Sequence, residues 1–556
     1  MLIESAYRKL TMGDCMHILI SNLLKNLKMF EKILIYGTGN YANIIYPMLK
    51  KAGLKEKICS FVVTGTTDIS QIDGIPVKSL SELKDIDTRL FGVLIATGKE
   101  YEKDIERGLS NFGFAQVLKL TDYILVNNSL EKLINLSDEQ FLELVIEEVT
   151  WKKINVIDEL EKKIKSFKEA VIEKEKMGVD KNTIIFITGD LAPRSIKFIG
   201  ALLKKKNVIV LLYGCPNELL KDSLSTKNIK FLECSSIVEL LYCAMLYMPL
   251  VYYCEPKWGD CSLVETIIEH KKLFGKIVFA PYDILNDGYK YVSEKQKLSE
   301  RFCLENADGI VWRWFSKEFL EDMKGIVCKG RSILFLDYCN GYDMKRDDES
   351  STKSGALRIC FVSGGTYGVF DNESCKNDVR YTEMAKMKYI MEKIGKRDDC
   401  IFHVYIGSAN EQDRKNADLL SMEYPNFKVF WGTKYDDLIS NISEYDYGCY
   451  WSTDGVEIPL LEADENGFTG SSYENSVPNR YFDYIDAGLP IIAVQPKKIC
   501  NYLEKFGVVV KMTISDIDID FLKKSKSVYK ENVKKAKKEL LIDNHIQKLI
   551  DFFNEL

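Results

Sequence analysis

The sequence predicts an α/β protein built from several doubly wound parallel sheets. At 556 residues the chain exceeds what one hydrophobic core serves, so about three or four domains are expected. Its strand-length apolar runs are short and rich in Ile and Val, and most stop at Gly or a polar loop: KILIYG, NTIIFITGD, LRICFVSGG, LPIIAV. Amphipathic helical stretches alternate with them, as in YANIIYPMLKKAG and RSIKFIGALLKKK. That alternation is the βαβ pattern, which places ligand loops at the carboxyl ends of the strands.

In chain order, residues 1–28 form an N-terminal extension with a mildly apolar middle and no cleavage site of small residues. Residues 29–127 read as a Rossmann-like domain: strand KILIYG, turn GTGN, a helix, then strand ICSFVV. Gly37-x-Gly39-x-x-Ala42 follows a strand and opens a helix, as a dinucleotide turn requires, so Gly37, Gly39 and Asn40 are candidate nucleotide contacts. The acid expected at the end of the next strand is absent; Val63-Thr64 stands there and Asp68 comes late, which leaves little support for NAD. Residues 128–182 are rich in Glu and Lys with apolar residues at helical spacing and read as a helical connector. A second α/β region covers 183–344, a polar linker 345–356, a third α/β region 357–510, and C-terminal helices 511–556.

Composition excludes some functions. The formal charge of -6 disfavours a nucleic-acid partner. The 15 cysteines show no C-x-x-C pair, the usage of a reduced, cytoplasmic protein. Only four His are present and none has ligand spacing, so no metal site is expected. The longest apolar run, residues 240–254, is too short to span a bilayer and is divided by Pro249.

The stretch SVPNRYFDYIDAGLPIIA carries the most chemistry. Pro478 suits a helix entrance, Gly488 a helix end, and Pro490 forbids continuation, so Asn479 to Ala487 is expected to be a short helix. Its first turn would offer N–H groups to a phosphate, and Arg480 adds a charged donor fork. Asp483, one turn on, would share that face and accept hydrogen bonds from ribose hydroxyls. On its own the pair also fits a surface ion pair worth a few tenths of a kcal/mol.

The stretch resembles the donor-site motif of GT-B glycosyltransferases, particularly the retaining group called family four. DYIDAGLPIIA matches the second half of that motif, with Asp483 where the group usually has the Glu that holds the donor ribose. Arg480 stands where many members have Lys, within Asn479-Arg480-Tyr481-Phe482-Asp483-Tyr484. The chain departs from the motif at its first acid, where Asn475 stands with Glu474 beside it.

The resemblance implies two facing lobes and a donor site formed by Gly364, Gly365, Thr366, Glu474, Asn475, Pro478, Asn479, Arg480 and Asp483, with Arg480 and Asp483 as its catalytic pair. Lys376 and Arg380 are candidates for the family's basic residues after the glycine loop. Asp190, Arg194 and Glu255, at strand ends of the first lobe, are candidates for the acceptor, with Lys257 and Asp260 nearby; Asp190 suits a helix cap equally well. The implied activity is transfer of a sugar from a UDP- or GDP-linked donor to a glycan or lipid-linked acceptor of a bacterial cell surface, without a cofactor or metal. It implies a cytoplasmic protein with peripheral membrane contact open. The 29–127 domain resembles modules attached to surface-polysaccharide enzymes, including the nucleotide-binding part of sugar acetyltransferases. Two rivals stand beside this: a non-catalytic nucleotide-sugar or glycan-binding subunit, and an NAD-dependent sugar-modifying enzyme using residues 31–127.

Two features read as structural. Asp516-Ile517-Asp518-Ile519-Asp520 contains Asp-x-Asp but precedes a helix, where acids favour the helix start. His403 lies in the apolar strand IFHVYIG and reads as a core histidine.

Overall fold

The computed structural model describes residues 17–125, 137–141, 178–213, 229–256, 261–287, 293–342, 355–365, 390–408, 411–450, 474–513 and 516–556, apart from isolated positions within those spans. Most of the expected connector and of the 345–356 linker lies outside the described residues, as do Asp68, Asp190, Lys257, Asp260, Thr366, Lys376 and Arg380.

The first sheet contains β1 (Lys32–Tyr36), β2 (Ile58–Val63), β3 (Gln71–Ile72), β4 (Ile75–Ser79), β5 (Phe91–Ile95) and β6 (Val117–Lys119). Their order is β3-β4-β2-β1-β5-β6, and all pairings are parallel except the β3–β4 hairpin. The strands read as continuous apolar runs because α1 (Asn40–Lys51) and α2 (Lys99–Asn111) alternate with them, giving apolar clusters such as Ile33, Ile35, Ala42 and Ile45. The strand order reverses between β1 and β5. Gly37 (φ 116°) is required there, since a Cβ on it would lie 2.7 Å from the Ala96 carbonyl oxygen.

The second sheet runs β9-β8-β7-β10-β11-β12-β13, from β7 (Asp180–Thr188), β8 (Asn207–Tyr213), β9 (Lys230–Cys234), β10 (Pro249–Glu255), β11 (Ile277–Phe279), β12 (Gly309–Trp312) and β13 (Arg331–Leu334). The described registers β7–β8, β7–β10 and β10 through β13 are parallel. Its reversal point lies between β7 and β10, with α3 (Pro193–Leu202) leaving the end of β7.

The third sheet runs β16-β15-β14-β17-β18-β19, from β14 (Leu357–Gly365), β15 (Cys400–Ser408), β16 (Phe427–Trp431), β17 (Tyr447–Cys449), β18 (Ile491–Ile492) and β19 (Val509–Val510). All its pairings are parallel, with the reversal between β14 and β17. Between β17 and β18 lies α4 (Arg480–Asp486). Gly488 takes φ 76° just past it, and Leu489 N–H returns to the Tyr484 carbonyl at 2.8 Å, the closure glycine permits at a helix end.

The second and third sheets form two α/β lobes joined through residues 335–342, the GT-B arrangement that the resemblance implied. One apolar cluster is continuous across the junction. Phe198, Phe335, Tyr338 and Phe482 meet in sequence, with ring centroids 5.0, 5.0 and 6.1 Å apart. Each buried ring contributes about 1.5–3 kcal/mol from burial alone. Tyr338 adopts φ 44°, a strained value for a non-glycine residue. It is held by stacking on His545 at 4.0 Å and by Lys197 Nζ, which donates to its carbonyl at 3.1 Å. α5 (Ile519–Glu539) and α6 (Ile542–Asn554) end the chain, and α6 packs on α3 of the first lobe. Among the described residues no helix is long and apolar enough to cross a membrane.

Candidate functional site

Arg480 begins α4, and its guanidinium lies over the Phe361 ring (5.0 Å) and the Tyr450 ring (5.1 Å). Phe361 is in β14 and Tyr450 follows β17, the two strands that flank the reversal point of the third sheet. Open α/β sheets bind ligands outside the strand carboxyl ends at this place. Two aromatic faces fix the guanidinium plane, each contact contributing about 0.5–2 kcal/mol. β14 ends at Gly364–Gly365, and a Cβ at Gly407 on the next strand would sit 2.8 Å from the Gly364 carbonyl oxygen, so the strand ends approach closely. The helix is seven residues long, shorter than the Asn479–Ala487 expected. A single seven-residue helix gives a small dipole, so the fixed positive charge at this end of the helix is that of the Arg480 side chain.

Asp483 differs from expectation. It is 3% exposed, and its Oδ1 accepts from Lys197 Nζ (2.7 Å) and Tyr435 Oη (2.7 Å). Lys197 comes from α3 of the first lobe and is wholly buried. Burial alone would push its ammonium pKa down; the Asp483 and Asp486 carboxylates outweigh that and hold it above the ordinary lysine range. The ribose-holding role expected of Asp483 has no open face in this conformation, because the carboxylate is closed off by a cross-lobe ion pair. Asp486 is likewise internal: its two oxygens accept from Asn340 N–H (2.5 Å) and Gly341 N–H (2.9 Å) of the inter-lobe segment.

The first lobe places a buried charged cluster at its own strand ends. Glu255 ends β10 and accepts from Ser195 Oγ at 2.5 Å; burial pushes its carboxyl pKa up while Arg194 opposes. Arg194 Nε lies 3.4 Å from Asp337 Oδ1 and 4.0 Å from Glu255 Oε2. Arg194 is 0% exposed and its guanidinium lies 4.6 Å from the Phe198 ring centroid, so it is an internal strut, without the open face that the acceptor contact expected of it needs. Arg313, just past β12, pairs with Asp337 at 2.9 Å.

The remaining candidates divide. Asn479 directs its amide to the first lobe: Oδ1 accepts from Arg313 Nη2 at 2.5 Å, and Nδ2 donates to Tyr282 Oη at 3.1 Å. Asn475 is buried and its carbonyl accepts from Phe315 N–H at 3.1 Å, while Glu474 is exposed. Pro478 precedes the helix and its carbonyl accepts from Tyr481 N–H at 3.1 Å. So the Asn475 backbone and the Asn479 side chain make contacts between the lobes. Asp190 and Thr366 lie outside the described residues. In the first sheet, Gly37 and Gly39 stand at the end of β1; Asn40 opens α1, and its side chain lies outside what is described.

The two features read as structural are so. Asp518 caps α5 by accepting from Phe521 N–H at 2.9 Å. His403 Nδ1 meets Tyr445 Oη at 2.6 Å, and burial with nearby Arg358 and Lys428 lowers its pKa to about 4, so it is neutral at physiological pH. No cluster of three metal-ligating side chains occurs among the described residues.

Sequence reasoning missed Lys197, Arg313, Asp337 and Tyr435. One signal was available: Arg194, Lys197, Phe198 and Ala201 share one helix face, and a Lys on an apolar stripe needs a buried partner.

No family model and no curated protein matches the chain. Solved structures resemble it over about two thirds of its length. One is S. aureus MnaA with UDP, 13% identical over 66% of this chain and 89% of that one, TM-score 0.40. Another is described as trehalose-6-phosphate from E. coli bound with UDP-2-fluoro glucose, 10% identical over 67% and 99%, TM-score 0.44. A third is AviGT4, a glycosyltransferase involved in avilamycin A biosynthesis, 8% identical over 67% and 97%, TM-score 0.38.

Proposed function

We propose that this chain is a glycosyltransferase, moving a sugar from a nucleotide-sugar donor, UDP- or GDP-linked, to a glycan or lipid-linked acceptor in bacterial cell-surface polysaccharide synthesis. The observation that carries the reading is Arg480, fixed between Phe361 and Tyr450 at the reversal point of the second lobe's sheet, inside the motif that resembles a GT-B donor site. The largest demand of such a transfer is the charge developing on the leaving diphosphate. A preorganised guanidinium in a partly dehydrated site meets that demand without reorganising. The Gly364–Gly365 strand end lets backbone approach the phosphates or sugar. Asp483, tied to Lys197 and Tyr435, orients the helix that carries Arg480 and meets the ribose only if the lobes open. The acceptor enters between the lobes, on the side of the first lobe's strand ends. The transfer proceeds at the cytoplasmic face without metal or cofactor and, as the resemblance implies, with retained anomeric configuration.

A second reading, a non-catalytic nucleotide-sugar-binding subunit, is favoured by one observation: Asp483, Asn475 and Asn479 are all engaged between the lobes. The deciding experiment is hydrolysis or transfer across UDP-, GDP-, CMP- and TDP-sugars, with wild type and Arg480→Ala. Turnover of one donor that Arg480→Ala reduces supports the transferase. Binding without turnover over varied acceptors supports the subunit.

A further inference from the structure

A run of buried side chains leads from the first lobe's strand ends to the residue that precedes Arg480. Ser195 Oγ donates to Glu255 Oε1, Arg194 Nε lies between Glu255 and Asp337, and Asp337 Oδ2 pairs with Arg313 Nη2 at 2.9 Å. The same Nη2 reaches the Val477 carbonyl at 2.8 Å and Asn479 Oδ1 at 2.5 Å, while Nη1 donates to the Tyr282 carbonyl at 3.2 Å. The guanidinium plane is fixed over the Tyr282 ring at 4.7 Å. Asn479 closes the circuit by donating to Tyr282 Oη.

Burying two guanidinium groups and two carboxylates costs several kcal/mol per ion before pairing offsets it. Apolar residues of equal volume would hold two lobes together at least as well. Arg313 does what an apolar residue cannot: it fixes two hydrogen-bond acceptors, the Val477 carbonyl and Asn479 Oδ1, at the entrance of α4. The next residue is Arg480. The network is incomplete at its other end, since Arg194 Nε and Nη1, Glu255 Oε2 and Asp337 Oδ1 make no hydrogen bond among the described residues.

We infer that Arg313 is a positioning residue for the donor site: through Asn479 it sets where the Arg480 guanidinium stands, and it ties that placement to the carboxylates of the acceptor-side lobe. This rests on the transferase reading. A misplacement of about 1 Å at a reacting centre lowers rates by about 10²-fold. Lys in place of Arg313 loses the planar stack over Tyr282 and the Nη1 contact, and its shorter side chain does not carry its ammonium to the Nη2 position from which Asp337, Val477 and Asn479 are held together.

The test is a mutant cycle on folded protein, with UDP and GDP affinity and donor turnover measured for Arg313→Lys, Arg480→Ala and the double variant. Arg313→Lys is expected to lower turnover by about 10- to 100-fold when Arg480 is present, and by less than about 2-fold when it is absent. Asn479→Ala, which leaves the Arg313–Asp337 pair intact, should behave like Arg313→Lys, and Asn479→Asp, still an acceptor, should retain most turnover. Equal losses with and without Arg480 overturn the inference alone, because a merely structural role acts in both backgrounds. Where the wild type binds a nucleotide without turnover, the same cycle is read on its Kd with the same two outcomes. A wild type that binds neither nucleotide and turns over no donor overturns the transferase reading, and this inference with it.

Discussion

Lys197 Nζ lies 2.7 Å from Asp483 Oδ1, with both side chains buried and each carried by a different lobe. The sequence separates them by almost three hundred positions, yet the pair stands in the apolar cluster that joins α3 to α4. An ion pair there is worth little against an apolar substitute, but half of one is costly.

Lys197→Met should therefore destabilise the protein by about 3–5 kcal/mol, because Asp483 is left in low dielectric without its cation. The double variant Lys197→Met with Asp483→Leu should recover much of that loss. Urea midpoints of the three proteins check this, and a double variant no more stable than Lys197→Met would show the coupling to be absent.

Glu300 should give stability a pH dependence. It is buried, and burial pushes its carboxyl pKa up from 4.5 to about 7, opposed by hydrogen bonds from Leu285 N–H (2.7 Å) and Asn286 N–H (2.7 Å). The folded state keeps a proton that the unfolded chain releases. The group's contribution is full below about pH 4.5 and is lost as pH rises through about 7, a change of roughly 3 kcal/mol. Unfolding free energies across that window should fall with pH in the wild type and lose that slope in Glu300→Gln. Parallel slopes would remove Glu300 from the account.

Gly448 should tolerate no side chain. A Cβ there would lie 2.3 Å from the Tyr484 ring, whose hydroxyl joins Val362 N–H (2.9 Å) and the Cys449 carbonyl (3.0 Å) on the two strands beside Arg480. Overpacking of this kind costs about 1–3 kcal/mol or more. Gly448→Ala should lower the melting temperature and weaken nucleotide binding together. Unchanged values for both would mean that Tyr484 shifts freely.

Much of the fold was legible because parallel strands buried on both faces write themselves as apolar runs. LRICFVSGG, IFHVYIG and KILIY all lie in strands, and Pro478, Gly488 and Pro490 bracket α4 to within a residue at each end. Arg480 was legible as a candidate because the motif is local. The partners of Asp483 and Asn479 were not, since Lys197, Tyr435, Arg313 and Tyr282 reach them only through the crossing of two lobes. Spacing along α4 put Arg480 and Asp483 on one side, but three residues on a helix still differ by about 60°, enough to send one to aromatic rings and the other into an ion pair.

The central claim is that Arg480 holds a nucleoside diphosphate at the second lobe's reversal point. The most direct measurement is calorimetric titration of UDP and GDP into the full chain, comparing wild type with Arg480→Ala and Arg480→Lys. The account predicts saturable binding of one nucleotide, weakened about 10-fold or more by Arg480→Ala and partly retained by Arg480→Lys, with all three free proteins folded and Arg480→Ala melting somewhat lower for want of its two ring contacts. Equal affinity in all three proteins, or no binding by the wild type, would contradict it.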